Sequence, residues 1–263
     1  MKKTMLLPLI SCAFMALTGC KNKEQKKDVY VFAAASMTET LNQIKTKYME
    51  AHQDVNLLFN FKGSGDLQTQ IEQGADCDLF ISAAPKQMNN LQNENLIDVS
   101  TRIDLLENKV VLATTQENPS NVTGFQNTVD RILADESGFV VAVGEFPNKV
   151  PAGEYANKIY QSLGLTINDH TGHFTKESDV KGVTAKVSNG GAACGVIYAT
   201  DAYSAGLKTI GTATKEQCGG QVIYPAAVTA NAKQADLAKA FLQYLQGSEA
   251  KAIFESVGFT ALN

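Results

Sequence analysis

The chain has 263 residues, 44% apolar and 19% charged, which leaves room for two compact domains or one large one at roughly 100 to 200 residues each. That composition supplies a core and excludes intrinsic disorder and fibrous repeats. The formal net charge of -4 leaves no basic footprint for nucleic-acid phosphates, so nucleic-acid binding is not expected.

Lys2 and Lys3 precede an apolar run from Met5 to Leu17, interrupted by Pro8 and Ser11 and too short to span a bilayer. Residues 1–19 therefore read as a secretory signal peptide. Leu17-Thr18-Gly19-Cys20 resembles the lipobox of bacterial lipoproteins, in which cleavage leaves the cysteine as a lipid-modified N-terminus. An ordinary signal with a chance cysteine is the blander alternative. The expected product is exported and anchored by lipid on Cys20, at the outer face of the cell membrane or in the periplasm. Residues 20–27 form a charged tether, and the seven residues after Cys20 reach at most roughly 25 Å. Of the five cysteines, Cys12 leaves with the signal and Cys20 is lipidated. Cys77, Cys194 and Cys218 remain, with Cys194 and Cys218 the pairing to test first in an oxidising compartment.

From Asp28 the chain opens with VYVFAAAS, the continuous apolar run of a strand buried on both faces. Ser36-Met37-Thr38-Glu39 matches a capping box, and Leu41, Ile44, Tyr48 and Ala51 follow at helical spacing. Val55 to Phe61 reads as a strand, KGSGD (62–66) as a glycine-rich turn and Leu67 to Gln73 as a helix. Asp78 to Ala83 is a strand, and Pro85 opens a helix through Leu91. Three strand-helix units in succession argue for a parallel sheet. Strands are further expected at Lys109 to Thr114, Val140 to Val143, Gly195 to Ala199, Lys208 to Gly211 and Val222 to Val228. Helices are expected around Val129 to Leu133, from Pro151 to about Leu163, after Ser178 to Val187, from Thr200, and over Ala235 to Leu245 and Ser248 to Glu255.

Catalytic signatures fail in turn. His52 ends a helix, and His170-x-x-His173 lies in a Gly/Thr loop without the ligands of a zinc site, so it reads as a solvated pair and no bare metal cation is expected. Gly63-Ser64-Gly65 lacks the glycine that a nucleophile elbow needs at Lys62, and no P-loop is present. Cys77, between Asp76 and Asp78, reads as packing. What remains is a set of hydroxyls and free N-H groups at helix starts: Ser36, Ser64, Ala152 after Pro151, and Val180 after Ser178. Helix N-termini carry unpaired N-H groups and partial positive charge, so several aimed at one point bind an anion without charged side chains. Arg102 and Arg131, each beside an acid (Asp104, Asp130), are the only arginines, so guanidinium forks are not the expected grip. Each serine taken singly is also explained by capping or turn chemistry.

FAAASMTETL, GSGDLQTQIEQGADCDLFISA, VAVGEFPNKVPAGEYA and GVIYATDA, in this order, resemble the periplasmic molybdate-binding proteins of ABC importers, from about Val29 to Gly258. The resemblance implies an α/β type II periplasmic-binding-protein fold, two lobes with the ligand in the cleft between them. Residues 28–108 and 222–263 would form lobe 1, and 109–221 lobe 2. It implies that Ser36 and Ser64 donate hydroxyl and backbone N-H bonds, Ala152 and Val180 backbone N-H bonds, and Tyr198 its phenol O-H, with Asp201 in support. Gly63, Gly65 and Asp66 stand where relatives often carry serines. The implied function is capture of molybdate or tungstate by a monomeric lipoprotein for an ABC permease, with no catalysis and no cofactor. The alternatives are a receptor for another oxyanion, such as sulfate or phosphate, and a lipid-anchored serine hydrolase using Ser36 or Ser64.

Overall fold

The structure, a computed structural model, describes residues 26–262. The signal peptide, Cys20 and most of the tether lie outside those residues. Lys27, the end of the expected tether, already belongs to the first strand.

Three strand-helix units open the fold: β1 (Lys27–Ala34) and α1 (Thr38–Ala51), β2 (Val55–Lys62) and α2 (Ser64–Glu72), β3 (Leu79–Ile81) and α3 (Pro85–Asn93). Then come β4 (Ile103–Asn108), β5 (Val110–Thr114), α4 (Phe125–Leu133), β6 (Val141–Gly144), α5 (Pro151–Ser162), β7 (Phe174–Glu177) and α6 (Val180–Ser188). The chain closes through β8 (Cys194–Tyr198), α7 (Ala199–Ser204), β9 (Lys208–Thr212), α8 (Lys215–Cys218), β10 (Val222–Val228), α9 (Ala235–Leu245), α10 (Ser248–Ser256) and β11 (Thr260–Ala261).

These strands form two sheets. One has six strands in the order β11-β4-β10-β3-β1-β2, the other five in the order β7-β6-β8-β5-β9. The chain passes from the first sheet to the second between Asn108 and Val110, and returns between Thr212 and Val222. Each sheet with its helices is one lobe. In the first, β1 pairs in parallel with β2 and β3, as the strand-helix pattern predicts, whereas β10 runs antiparallel to β3 and β4.

The apolar run of β1 is explained by burial on both faces. Val31 and Ala33 pack with Leu41 and Ile44 of α1, while Phe32 faces Leu67 and Ile71 of α2 and Met88 and Leu91 of α3. In the second lobe α5 and α6 both pack on β6 and β8. No helix among the described residues is long and apolar enough to cross a membrane.

Several expectations need correction. The capping box does not form: Ser36 lies in a 3-10 turn (Ala35–Met37) with no side-chain cap, its hydroxyl meets Tyr224, and Glu39 pairs with Lys181. Tertiary partners outbid the local ones. Helix α2 begins at Ser64 rather than Leu67. His173 is buried, its ring nitrogens 2.9 Å from Phe139 O and 3.0 Å from Asp135 Oδ1, so the 170/173 pair is not a solvated one. Cys77, Cys194 and Cys218 are all free and buried, so Cys194 and Cys218 are unpaired. Burial pushes the Cys194 thiol up to about 12 and Cys218 to about 11.

Candidate functional site

Every residue singled out as a ligand stands at the end of a strand or the start of a helix. Ser36 occupies the turn between β1 and α1, and Ser64 is the first residue of α2. Ala152 is second in α5 behind Pro151, Val180 is first in α6, and Tyr198 ends β8. All five line one small cavity between the two lobes, walled also by Ala35, Gly63, Ala83 and Val150. Lys62 is the one charged residue of the lining, and it is exposed. Arg102 bonds Gln92 and Asn89, and Arg131 pairs with Glu136, all outside that lining.

The donors follow from local structure. The first N-H groups of α2, α5 and α6 have no acceptor within their own helices, which leaves those of Ser64, Ala152 and Val180 for a guest. Asp179 caps α6 by accepting from Gly182 N-H at 2.9 Å, which leaves Val180 N-H outside the cap. Ser64 Oγ accepts from Ala83 N-H at 3.0 Å, so its own hydrogen is free to be given. Ser36 Oγ lies 2.9 Å from Tyr224 Oη. Tyr198 is buried and its hydroxyl makes no hydrogen bond of ordinary length among the described residues. Burial, with Tyr224, Tyr155 and Asp201 nearby, holds that phenol well above its ordinary range, so it remains a donor. A fully buried hydroxyl without a partner is costly unless something supplies one.

The lobes are in contact around the cavity. Gly65 N-H donates to Lys149 O at 2.8 Å, and a β-carbon on Gly65 would stand 1.8 Å from Asn148 O, so only glycine fits this approach. Lys86 pairs with Glu154 at 3.1 Å, both partly exposed, and Lys181 meets Glu39 at 2.6 Å. Asp66 lies outside the lining. A wider groove nearby is lined by Pro85, Lys86, Gln87, Glu154, Tyr155 and Lys158.

Behind the second lobe's donors sits an ion pair between a buried carboxylate and a half-buried lysine. Asp201, third in α7, lies 2.9 Å from Lys181 Nζ. Burial pushes its carboxyl up to about 6 against the pull of Lys181, with Glu39 and Asp179 adding to the rise. For Lys181 burial opposes the charge, but Asp201 and Glu39 outweigh it and hold the ammonium above its ordinary value. Tyr224, Asn108 and Lys181, all close behind the cavity lining, escaped the sequence reading. The available signals were a lone tyrosine in the apolar VIYPAAV and an asparagine at the junction of two apolar strands.

Comparison with known proteins agrees with this architecture. ModA of Escherichia coli K12, named a molybdate-binding protein, is 35% identical over 242 residues, 88% of each chain. YvgL of Bacillus subtilis 168, named as a substrate-binding lipoprotein of an ABC transporter, is 33% identical over 257 residues, 95% of each chain. The solved periplasmic molybdate-binding protein of Azotobacter vinelandii superposes with a TM-score of 0.77 at 20% identity, over 89% of this chain and all of that one, which shows the shared periplasmic-binding-protein fold. The family model for bacterial extracellular solute-binding proteins matches residues 29–260, and the chain belongs to that family.

Proposed function

We propose that this protein captures a tetrahedral oxyanion, molybdate or tungstate, outside the cytoplasm and delivers it to the permease of an ABC transporter. The convergence of Ser36, Ser64, Ala152, Val180 and Tyr198 on one interlobe cavity carries the reading. Their neutral donors suit a dianion that must be released again, and the helix starts behind them add partial positive charge. The names of the relatives at 33% and 35% identity support the same ligand and the same transporter class.

Charge attracts every dianion alike, so selection rests on cavity size. Fixed donors on two touching lobes cannot follow a smaller oxyanion inward, and each bond left unmade strands a buried donor. The lobes close by a hinge where the chain crosses between sheets, and the closed form is what the permease reads. Lipid on Cys20 keeps the monomeric receptor near that permease and raises its effective concentration.

Binding without catalysis accounts for the serines better than hydrolysis does. The hydroxyl of Ser36 meets Tyr224 and that of Ser64 meets Ala83 N-H, while His52 stacks on Tyr48 and His173 bonds Phe139 and Asp135. Among the described residues neither serine hydrogen-bonds an imidazole that could take its proton.

Titration calorimetry with molybdate on Ser36→Ala and Ser64→Ala tests the site. A hydrogen bond to a charged group contributes about 1.5 to 3 kcal/mol, so each variant should bind roughly 10- to 100-fold more weakly. Affinity unchanged in both would place the site elsewhere.

A further inference from the structure

Ser36 does not face the cavity alone. Its Oγ lies 2.9 Å from Tyr224 Oη, which lies 3.2 Å from Asn108 Nδ2, and all three side chains are buried. The direction of these bonds is determined at the Asn108 end. Asn108 Oδ1 accepts Lys109 N-H at 2.8 Å, so the nitrogen is the end that meets Tyr224, and Nδ2 also donates to Thr200 Oγ1 at 3.0 Å. An amide nitrogen only donates, so Tyr224 Oη accepts from Asn108. A phenol has one hydrogen to give. Among the described residues Ser36 Oγ, at 2.9 Å, is the acceptor at ordinary hydrogen-bond length; the Tyr198 hydroxyl is near enough to act on Tyr224 but forms no bond of that length. Ser36 therefore receives from Tyr224, and its own hydrogen is left for the cavity.

We propose that Asn108 and Tyr224 are positioning residues for oxyanion capture: a relay from Asn108 through Tyr224 holds Ser36 in the donating sense toward the bound anion. Resting on the reading of Ser36 as a ligand, the proposal adds what orients it. The relay also occupies the passage between the lobes. Asn108 ends β4 at the outgoing crossing, Tyr224 lies on the returning strand β10, and Thr200 belongs to α7 of the second lobe, two residues past Tyr198. The bonds that orient a first-lobe donor thus depend on how the crossing strands and the second lobe are set. Bonds passed along such a chain also polarise one another, which strengthens the last donor.

The test is a double-mutant cycle on the full chain, read by calorimetry with molybdate and accompanied by the melting temperature of the ligand-free protein. Ser36→Ala should lose the 10- to 100-fold stated above. Tyr224→Phe, which removes only the hydroxyl, should weaken binding about three- to tenfold. The double variant should bind no more weakly than Ser36→Ala, because the relay has nothing left to orient; a merely structural defect would add in full instead. Asn108→Leu, similar in volume, should weaken binding about two- to fivefold and serves if Tyr224→Phe fails to fold. Binding by Ser36→Ala as tight as wild type would overturn the reading of the site itself. A normal Ser36→Ala loss with Tyr224→Phe (or Asn108→Leu, where it stands in) within experimental error of wild type, or with losses that multiply in full, would overturn the relay alone.

Discussion

At the residue scale the two serines show how a hydroxyl becomes a committed donor. Ser64 takes a hydrogen from Ala83 N-H and Ser36 meets Tyr224, so each has its accepting side occupied by the protein. Asp201 has a different part. Its carboxyl is buried and raised from 3.8 to about 6, beside Lys181 and within the influence of Glu39 and Asp179. A carboxyl whose folded value lies above its unfolded one contributes stability that is complete below the unfolded value and lost as pH rises through the folded one. The rise in Lys181 acts only in the alkaline range. The stability advantage of wild type over Asp201→Asn should therefore shrink between pH 4 and pH 7 in thermal melts of the ligand-free protein. A constant difference across that range would show that Asp201 titrates normally.

At the element scale, helix starts and strand ends make the site, and one contact between them governs whether the lobes can meet. Gly65, second in α2, approaches Asn148 and Lys149 of the other lobe with no room for a methyl group. If the proposed hinge parts the lobes in the absence of ligand, Gly65→Ala should weaken molybdate binding at least tenfold while leaving the melting temperature of the ligand-free protein nearly unchanged. An equal loss of unliganded stability would mean that the two segments touch whether or not ligand is present. Strands such as Val222–Val228 and helices such as Ala235–Leu245 were legible to the residue, because burial on both faces or one clean apolar stripe leaves little choice. β4 and β7 were not. IDLLEN and FTKE mix charged and apolar residues in segments too short for either period to stand out. The Ser36-Glu39 capping box failed because both of its side chains found partners far away in the chain, at Tyr224 and Lys181, which no local window contains.

At the scale of the whole molecule, two sheets joined at two crossings hold opposed donors around one small cavity. That these five residues would line one cavity was legible only through ordered blocks spread along the chain. Local chemistry alone marked Ser36, Ser64, Ala152 and Val180 as helix starts, and gave no reason to add Tyr198. The supporting residues stayed hidden because their roles exist only once β4, β10 and α7 meet at the crossing, where Asn108, Tyr224 and Thr200 come within hydrogen-bonding distance. Whether neutral donors on closed lobes select a four-oxygen dianion by size is read from thermal unfolding with molybdate, tungstate, sulfate and phosphate. A ligand at about 100 times its dissociation constant stabilises by roughly 2.7 kcal/mol. The account predicts a clear upward shift with molybdate and tungstate and little or none with sulfate or phosphate at the same concentration; a shift with sulfate equal to that with molybdate would contradict it.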